Sequence, residues 1–271
     1  MGAVGPEQAA ATIAARFGVV ASNPVTLANS NNTVVWLAPS SVVAKVGTGH
    51  HLRLGLELAV ARHLVGQRAP VVAPSPELPQ VVHHLAGFDL TFWAYQSHQH
   101  TEAEPGSLGV SLFALHDALA TFPDPLPCYN DELDQVSRIL TDTRCSPALR
   151  DADRSVLLAG LDRFRAELGS CEWDSRALHG SPHDSNVLVV EGAPLFIDFE
   201  TACRGPVEWD LAHVGPKAAT AYRAGFDPHL RDLCQALTSI KTATWCWAKV
   251  EHPALRWHAK HHLDVVRELM A

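Results

Sequence analysis

The stretch from Leu178 to Glu200 reads Leu-His-Gly-Ser-Pro-His-Asp-Ser-Asn-Val-Leu-Val-Val-Glu-Gly-Ala-Pro-Leu-Phe-Ile-Asp-Phe-Glu, and it constrains the chain more than any other segment. Val187 to Val190 is a β-branched apolar run, Glu191-Gly192-Ala193-Pro194 is turn chemistry, and Leu195 to Ile197 is a second apolar run. Together they predict two antiparallel strands. With the turn centred on Gly192, Leu188 faces Phe196 and Asn186 faces Asp198. Directly opposed residues have Cβ atoms roughly 4.5 to 5.5 Å apart, so an amide oxygen and a carboxylate on one face can share a small hard cation. Mg²⁺ accepts few protein oxygens and takes its remaining ligands from water and substrate phosphates. The spacing therefore points to a metal-phosphate site. The plainer alternative is that Asn186 opens a turn and Asp198 caps the next segment.

The 271 residues, 47% apolar and 18% charged, suffice for a large core in one or two domains. No apolar run reaches the roughly 18 residues of a membrane span, and the opening Met-Gly-Ala-Val-Gly-Pro-Glu has no basic region ahead of an apolar core, so a cytoplasmic protein is expected. The six cysteines form no C-x-x-C pair, which argues against a zinc ribbon or a disulfide scaffold. Residues 1–97 carry a balance of +1 and residues 98–271 a balance of −9. An acidic second half disfavours nucleic acid as a partner and would draw in a cationic small molecule. Solubility charge explains it equally well.

Ala9 to Phe17 predicts a short opening helix. Strand signals then run from Val25 to Val46, with Ala28-Asn29-Ser30-Asn31-Asn32-Thr33 as a small polar loop able to lay backbone N–H groups against phosphates, or to serve as an ordinary turn. Lys45 lies in the apolar strand Val-Val-Ala-Lys-Val, where an ammonium is costly unless it is paired. Twelve residues on, Glu57 falls in Leu54–Leu64, a helical stretch, although Leu52, Leu54, Leu56 and Leu58 also alternate as in a strand. A second strand pair around Val81–His84 and Leu90–Tyr95 turns at Ala86-Gly87-Phe88, and polar composition after Tyr95 places a lobe boundary at residue 97. Beyond it, Ser107 is the expected N-cap of a helix carrying Leu108, Leu112, Leu115 and Leu119. Leu157, Leu161, Phe164 and Leu168 mark another helix ahead of the site, and helices follow over Ala218–Ala224 and Leu230–Val250. His258 and His262, four apart on the last helix, have the spacing of a metal pair but read as a solvated face.

The run His179-Gly180-x-x-x-x-x-Asn186, followed eleven residues later by Ile197-Asp198-Phe199-Glu200, resembles the catalytic loop and metal segment of the aminoglycoside phosphotransferases and related small-molecule kinases. The resemblance extends in order through the 28–33 loop, Lys45, Glu57 and the segment after Tyr95. It implies an α+β, bilobal, protein-kinase-like fold: a small β-rich N-lobe over 1–97 that binds nucleotide, and a larger, mostly helical C-lobe over 98–271 that holds the catalytic loop and acceptor. It also implies ATP and Mg²⁺ as cofactors. Ser30, Asn31, Asn32 and Thr33 would cover the phosphates, Lys45 held by Glu57 would contact them, and backbone groups of Ala94, Tyr95 and Gln96 would hold adenine, with Trp93 and Tyr95 equally available to the core. Asn186 and Asp198 would ligate the metal, His179 would support the loop and Asp210 would brace it. Glu200 and Glu208 are candidate acceptor contacts.

The chain departs from the family at Ser181, where the pattern has the aspartate that takes the acceptor's proton. His183 and Asp184 lie in the same loop and are the alternative bases. Because phosphoryl transfer draws most of its acceleration from positioning and charge neutralisation, the change is expected to slow the chemistry or change its acceptor rather than forbid it. The expected activity is ATP-dependent O-phosphotransfer to a small hydroxylated molecule, such as an aminoglycoside-like antibiotic, a sugar or an amino alcohol, by a monomer or homodimer. The alternative is a catalytically impaired nucleotide-binding pseudokinase. A serine hydrolase or a zinc site at His179 and His183 fits less well, since no G-x-S-x-G elbow surrounds Ser181 and Gly180 and Pro182 oppose the helix a two-histidine pair requires.

Overall fold

The computed structural model describes residues 4–29, 32–48 and 53–271. The chain forms two compact units, Met1–Pro123 with Ser181–Ala202, and Asp124–Gly180 with Cys203–Ala271.

The first unit opens with α1 (Pro6–Ala15), then β1 (Val25–Asn29), β2 (Thr33–Trp36), β3 (Val42–Gly47), α2 (Leu54–Gly66), β4 (His83–Leu85), β5 (Phe88–Ala94) and α3 (Pro105–Leu119). The strands make an antiparallel five-stranded sheet in the order β1-β2-β3-β5-β4. Alternation along β3 decides what each face does. Val42, Ala44 and Val46 pack with Val35, Leu90, Phe92 and the Ala9, Ala10, Ile13 and Ala14 face of α1. Lys45 therefore projects from the opposite face, paired in register between Val34 and Thr91. The period-two ambiguity near Leu54 resolves as helix, because Leu54, Glu57, Leu58, Ala61 and Leu64 form one buried stripe; Leu52 lies outside the described residues. The N-cap of α3 is Glu104 and not Ser107: the Glu104 carboxylate accepts the N–H groups of Gly106 (2.9 Å) and Ser107 (2.6 Å), with Pro105 setting the first turn.

The hairpin of β7 (Val187–Val190) and β8 (Ala193–Phe196) also belongs to this unit. Its turn holds two residues, Glu191 (φ 51°) and Gly192 (φ 81°), both left-handed as a type I′ turn demands. Leu188 accordingly pairs with Leu195 and Val187 with Phe196, one residue off the expected register.

The second unit is built on α4 (Tyr129–Thr141), α5 (Asp151–Ser170), α8 (Pro228–Ala248) and α9 (Pro253–Met270), with the short ribbon of β6 (Arg176–Leu178) and β9 (Cys203–Gly205) and the small helices α6 (Glu208–Leu211) and α7 (Pro216–Ala221). Leu157, Leu161, Phe164 and Leu168 of α5 meet Leu233, Leu237 and Ile240 of α8 and Leu263 and Val266 of α9 around the fully buried Trp209. Each such side chain contributes about 1.5–3 kcal/mol on leaving water. The three helices close tightly at Gly160, where a Cβ would lie 3.2 Å from Ile240 Cδ1 and 3.4 Å from Val266 Cγ1. Among the described residues no helix is long and apolar enough to cross a membrane.

Candidate active site

The Lys45 ammonium, 7% exposed, meets three carboxylates, one from α2 and two from the segment after β8. Both oxygens of Glu57 on α2 lie 3.0 Å from Nζ, Asp198 Oδ1 lies at 2.9 Å and Glu200 Oε1 at 2.6 Å. Strand alternation aims Lys45 away from the core, and the helical stripe aims Glu57 at it. Asp198 reaches it because the chain leaves β8 through Ile197 and turns at Asp198 itself, whose φ of 68° is left-handed. That conformation, disfavoured for a non-glycine residue, is held here by the ion pair. Phe199, 1% exposed, then anchors the next turn. Asn32 donates from Nδ2 to Glu200 Oε1 at 2.7 Å, which ties the β1–β2 loop to the same carboxylate.

Burial by itself would lower the lysine's pKa, but Glu57, Asp198 and Glu200 outweigh it and hold the ammonium well above the ordinary lysine value. At Glu57 burial pushes the carboxyl up, Lys45 pulls it down, and Asp198 and Glu200 push it up again. With both oxygens at 3.0 Å from the ammonium the pair is charge-assisted, and the cluster of one cation and three carboxylates is electron-rich overall. The ligand oxygens of Glu57, Asp198 and Glu200 lie within 4.8 Å of one another, an all-oxygen set that suits a hard divalent cation.

The one-residue shift of the hairpin changes how Asn186 and Asp198 are related. Asn186 is opposed by Ile197, whose N–H donates to the Asn186 carbonyl at 3.0 Å, and Asp198 follows one residue later. The two are therefore not directly opposed pleat partners as expected; a two-residue turn replaces the turn centred on Gly192. The Asn186 amide nitrogen donates to the Ser181 carbonyl at 2.9 Å and lies 3.3 Å from His183 Nε2, so the side-chain oxygen is the atom available to a cation. Ser181 is half-buried, while His183 and Asp184 are exposed at the start of the one-turn Asp184–Asn186 helix.

In the second unit the residues before Ser181 are braced as anticipated. Asp210 accepts the N–H groups of His179 and Gly180, each at 2.8 Å, and His179 is fully buried. Gly180 has φ 90°, open to glycine, and its carbonyl accepts Trp209 Nε1 at 3.2 Å. Two further supports were not foreseen: Lys241 Nζ lies 3.5 Å from the Gly180 carbonyl and 3.0 Å from Glu132 Oε2, over the Trp209 ring at 5.1 Å.

The other expected positions divide. Thr33 donates to Asn29 Oδ1 at 3.3 Å, a contact between the paired ends of β1 and β2, and Ser30 and Asn31 lie outside the described residues. Ala94 N–H donates to the Ala73 carbonyl and Tyr95 N–H to the Ser41 carbonyl, at 2.9 and 2.8 Å, so neither of these N–H groups is presented to a base. The Tyr95 ring stacks on Trp36 at 4.3 Å. Glu200, expected near an acceptor, is engaged by Lys45 and Asn32, and Glu208 is buried with Oε1 accepting the Asp227 N–H at 2.9 Å.

A family model described as a phosphotransferase enzyme family matches residues 23–251. The chain belongs to the phosphotransferase enzyme family. A search of curated protein sequences finds no significant match for this phosphotransferase. Among solved structures, a choline/ethanolamine kinase family protein from Mesorhizobium loti aligns with TM-score 0.69 at 17% identity, covering 95% of this chain and 93% of that one. An amicoumacin kinase in complex with AMP-PNP, Ca²⁺ and Ami aligns with TM-score 0.69 at 13% identity, covering 93% and 92%. The GDP and kanamycin complex of an APH(2")-type protein aligns with TM-score 0.67 at 13% identity, covering 92% and 93%. At these identities the likeness concerns the fold: a mixed α+β phosphotransferase of the kinase-like kind, with a five-stranded antiparallel sheet at the N-terminal side and a larger helical C-terminal part.

Proposed function

We propose that this phosphotransferase moves the γ-phosphoryl group of ATP to a hydroxyl of a small, cationic acceptor. The observation that carries the reading is the convergence on Lys45, in a strand, of Glu57 from a helix and of Asp198 and Glu200 from the segment that leaves the hairpin. Lys45 would contact the phosphates while Glu57 fixes its direction. Asp198 and the Asn186 amide oxygen would hold Mg²⁺, which when bound neutralises the charge that builds on the transferring phosphoryl oxygens. Asn32, through Glu200, would bring the β1–β2 loop over the phosphates, and the Gln96 N–H with the carbonyls of Ala94 and Tyr95 would receive adenine.

Ser181 can donate to or accept from the acceptor hydroxyl, yet a hydroxyl is no base near neutral pH. Positioning and charge neutralisation therefore supply most of the acceleration, and His183 and Asp184 are the candidate proton acceptors in the same loop. The acceptor class rests on the −9 balance of residues 98–271 and on the molecules bound in complexes of structural neighbours, kanamycin and Ami among them. Aminoglycosides and amino alcohols are the first acceptors to test.

Ser181 also favours a second reading, a protein that binds nucleotide and turns over slowly or not at all. The experiment is ATP-dependent phosphorylation across a panel of amino alcohols and aminoglycosides, with Asp198→Ala as control. Product that disappears in the variant supports the enzyme. Magnesium-dependent ATP binding without product from any acceptor supports the second reading.

A further inference from the structure

At the start of β6, within the second unit, lies a cavity of about 220 Å³ lined by Trp173, Asp174, Arg176, Glu208, Tyr222 and Phe226 among others. None of these residues has a part in the function proposed above. The lining includes two acids, Asp174 and Glu208, and one guanidinium, Arg176, a net charge of −1. Glu208 is 5% exposed and is held in place by the Asp227 N–H at 2.9 Å, so its charge is fixed beside the cavity. Trp173 is also fixed: its ring meets Tyr129 edge-on at 5.8 Å and 77°, and Tyr129 is itself 2% exposed.

Three aromatic rings and two acids select for one kind of ligand. Ring faces carry negative quadrupole charge and attract cations that shed water easily. A metal ion would need several oxygens at short range, and here one of the two acids is already tied to backbone. An anion would meet the wrong sign. We infer that this cavity is a binding site for a small organic ammonium ion, with the Trp173, Tyr222 and Phe226 rings around its alkyl groups and Asp174 and Glu208 balancing its charge.

The site abuts the scaffold of the loop before Ser181. Glu208 shares α6 with Asp210, and Tyr129 contacts Trp209 (5.2 Å), which donates to Gly180. The inference does not depend on phosphotransfer, because Lys45, Glu57 and Asp198 belong to the other unit.

The test titrates tetramethylammonium into the full chain without nucleotide, followed by amide chemical shifts, with tert-butanol as the uncharged counterpart. We expect saturable shifts at Trp173 and over 222–226 for the cation and none for the alcohol. Trp173→Leu and Asp174→Asn should each weaken binding about tenfold, and Asp198→Ala should leave it unchanged. Asp174 is exposed, so that variant keeps the test decisive if the Trp173 variant does not fold. The inference is overturned by an absence of saturation, by an equal response to tert-butanol, or by binding that survives both cavity variants.

Discussion

At Lys45 charge balance governs stability. A single buried ammonium faces three carboxylates, so removing it strands Glu57, which is 2% exposed, beside two like charges. Lys45→Met should therefore cost about 3–5 kcal/mol in denaturant unfolding, and the double variant Lys45→Met/Glu57→Gln should recover much of that loss. If the double variant is as unstable as the single one, Glu57 is not the partner that makes the ammonium necessary. Ser181 makes the complementary test of chemistry. With the loop backbone held by Asp210 and Trp209, Ser181→Asp should place a base without moving the loop and raise turnover at saturating ATP by about 10²-fold or more. Unchanged turnover would mean that proton removal does not limit this phosphotransferase. Lys45 and Glu57 were legible in the sequence because a charged residue in an apolar strand or on a buried helical stripe must find a partner. The Asn32 to Glu200 bond was not, since it joins residues 168 apart and leaves no local pattern.

At the level of elements, the β7–β8 hairpin adopts a register that its local pattern does not specify. Gly192 signalled the turn, but the register depends on Glu191 also adopting positive φ, which its side chain does not advertise. Glu191→Asn, a better left-handed residue, should stabilise the protein by about 0.5–1 kcal/mol, and Gly192→Ala should destabilise it by about 1 kcal/mol or more. Effects of these opposite signs in thermal unfolding would confirm the two-residue turn; a neutral Gly192→Ala would contradict it. The α3 cap is hidden from local patterns for a similar reason, because glutamate two residues before glycine is a less familiar cap than serine. Helices read from leucine spacing, such as α5, were legible because each needed only its own periodicity. Packing between helices adds a pH signature. Burial pushes the Asp153 carboxyl up, but hydrogen bonds from Arg150 on one side and from Arg267 of α9 on the other hold it below the ordinary aspartate value. A lowered folded-state pKa gives stability that is present above the unfolded value of about 3.9 and lost as pH falls through the folded one. Arg267→Ala should thus destabilise the protein near neutral pH, and the gap from wild type should narrow below about pH 4. A gap independent of pH would assign Arg267 a packing role only.

For the whole molecule, the uneven charge matters more than any one pair. Residues 98–271 carry −9, which favours encounter with a cationic acceptor at low ionic strength. For such an acceptor kcat/KM should fall several-fold as ionic strength rises from about 0.01 to 0.15 M, where the screening length shrinks from about 30 to 8 Å. A neutral acceptor should show little change. The sequence carried the fold class and the order of the motifs, since those depend on short patterns repeated along the chain. It did not carry the lining of the second-unit cavity, which gathers Trp173 and Tyr222 from loops and Glu208 from α6.

The central claim is that Lys45, Asp198 and their neighbours receive a magnesium-bound nucleotide. Calorimetric titration of ATP, with and without Mg²⁺, into wild type and Asp198→Ala tests it most directly. The account predicts magnesium-dependent binding to wild type that weakens by tenfold or more in the variant, of the order expected for losing a charged ligand contact. Affinity that is the same with and without Mg²⁺, or the same in both proteins, would contradict it.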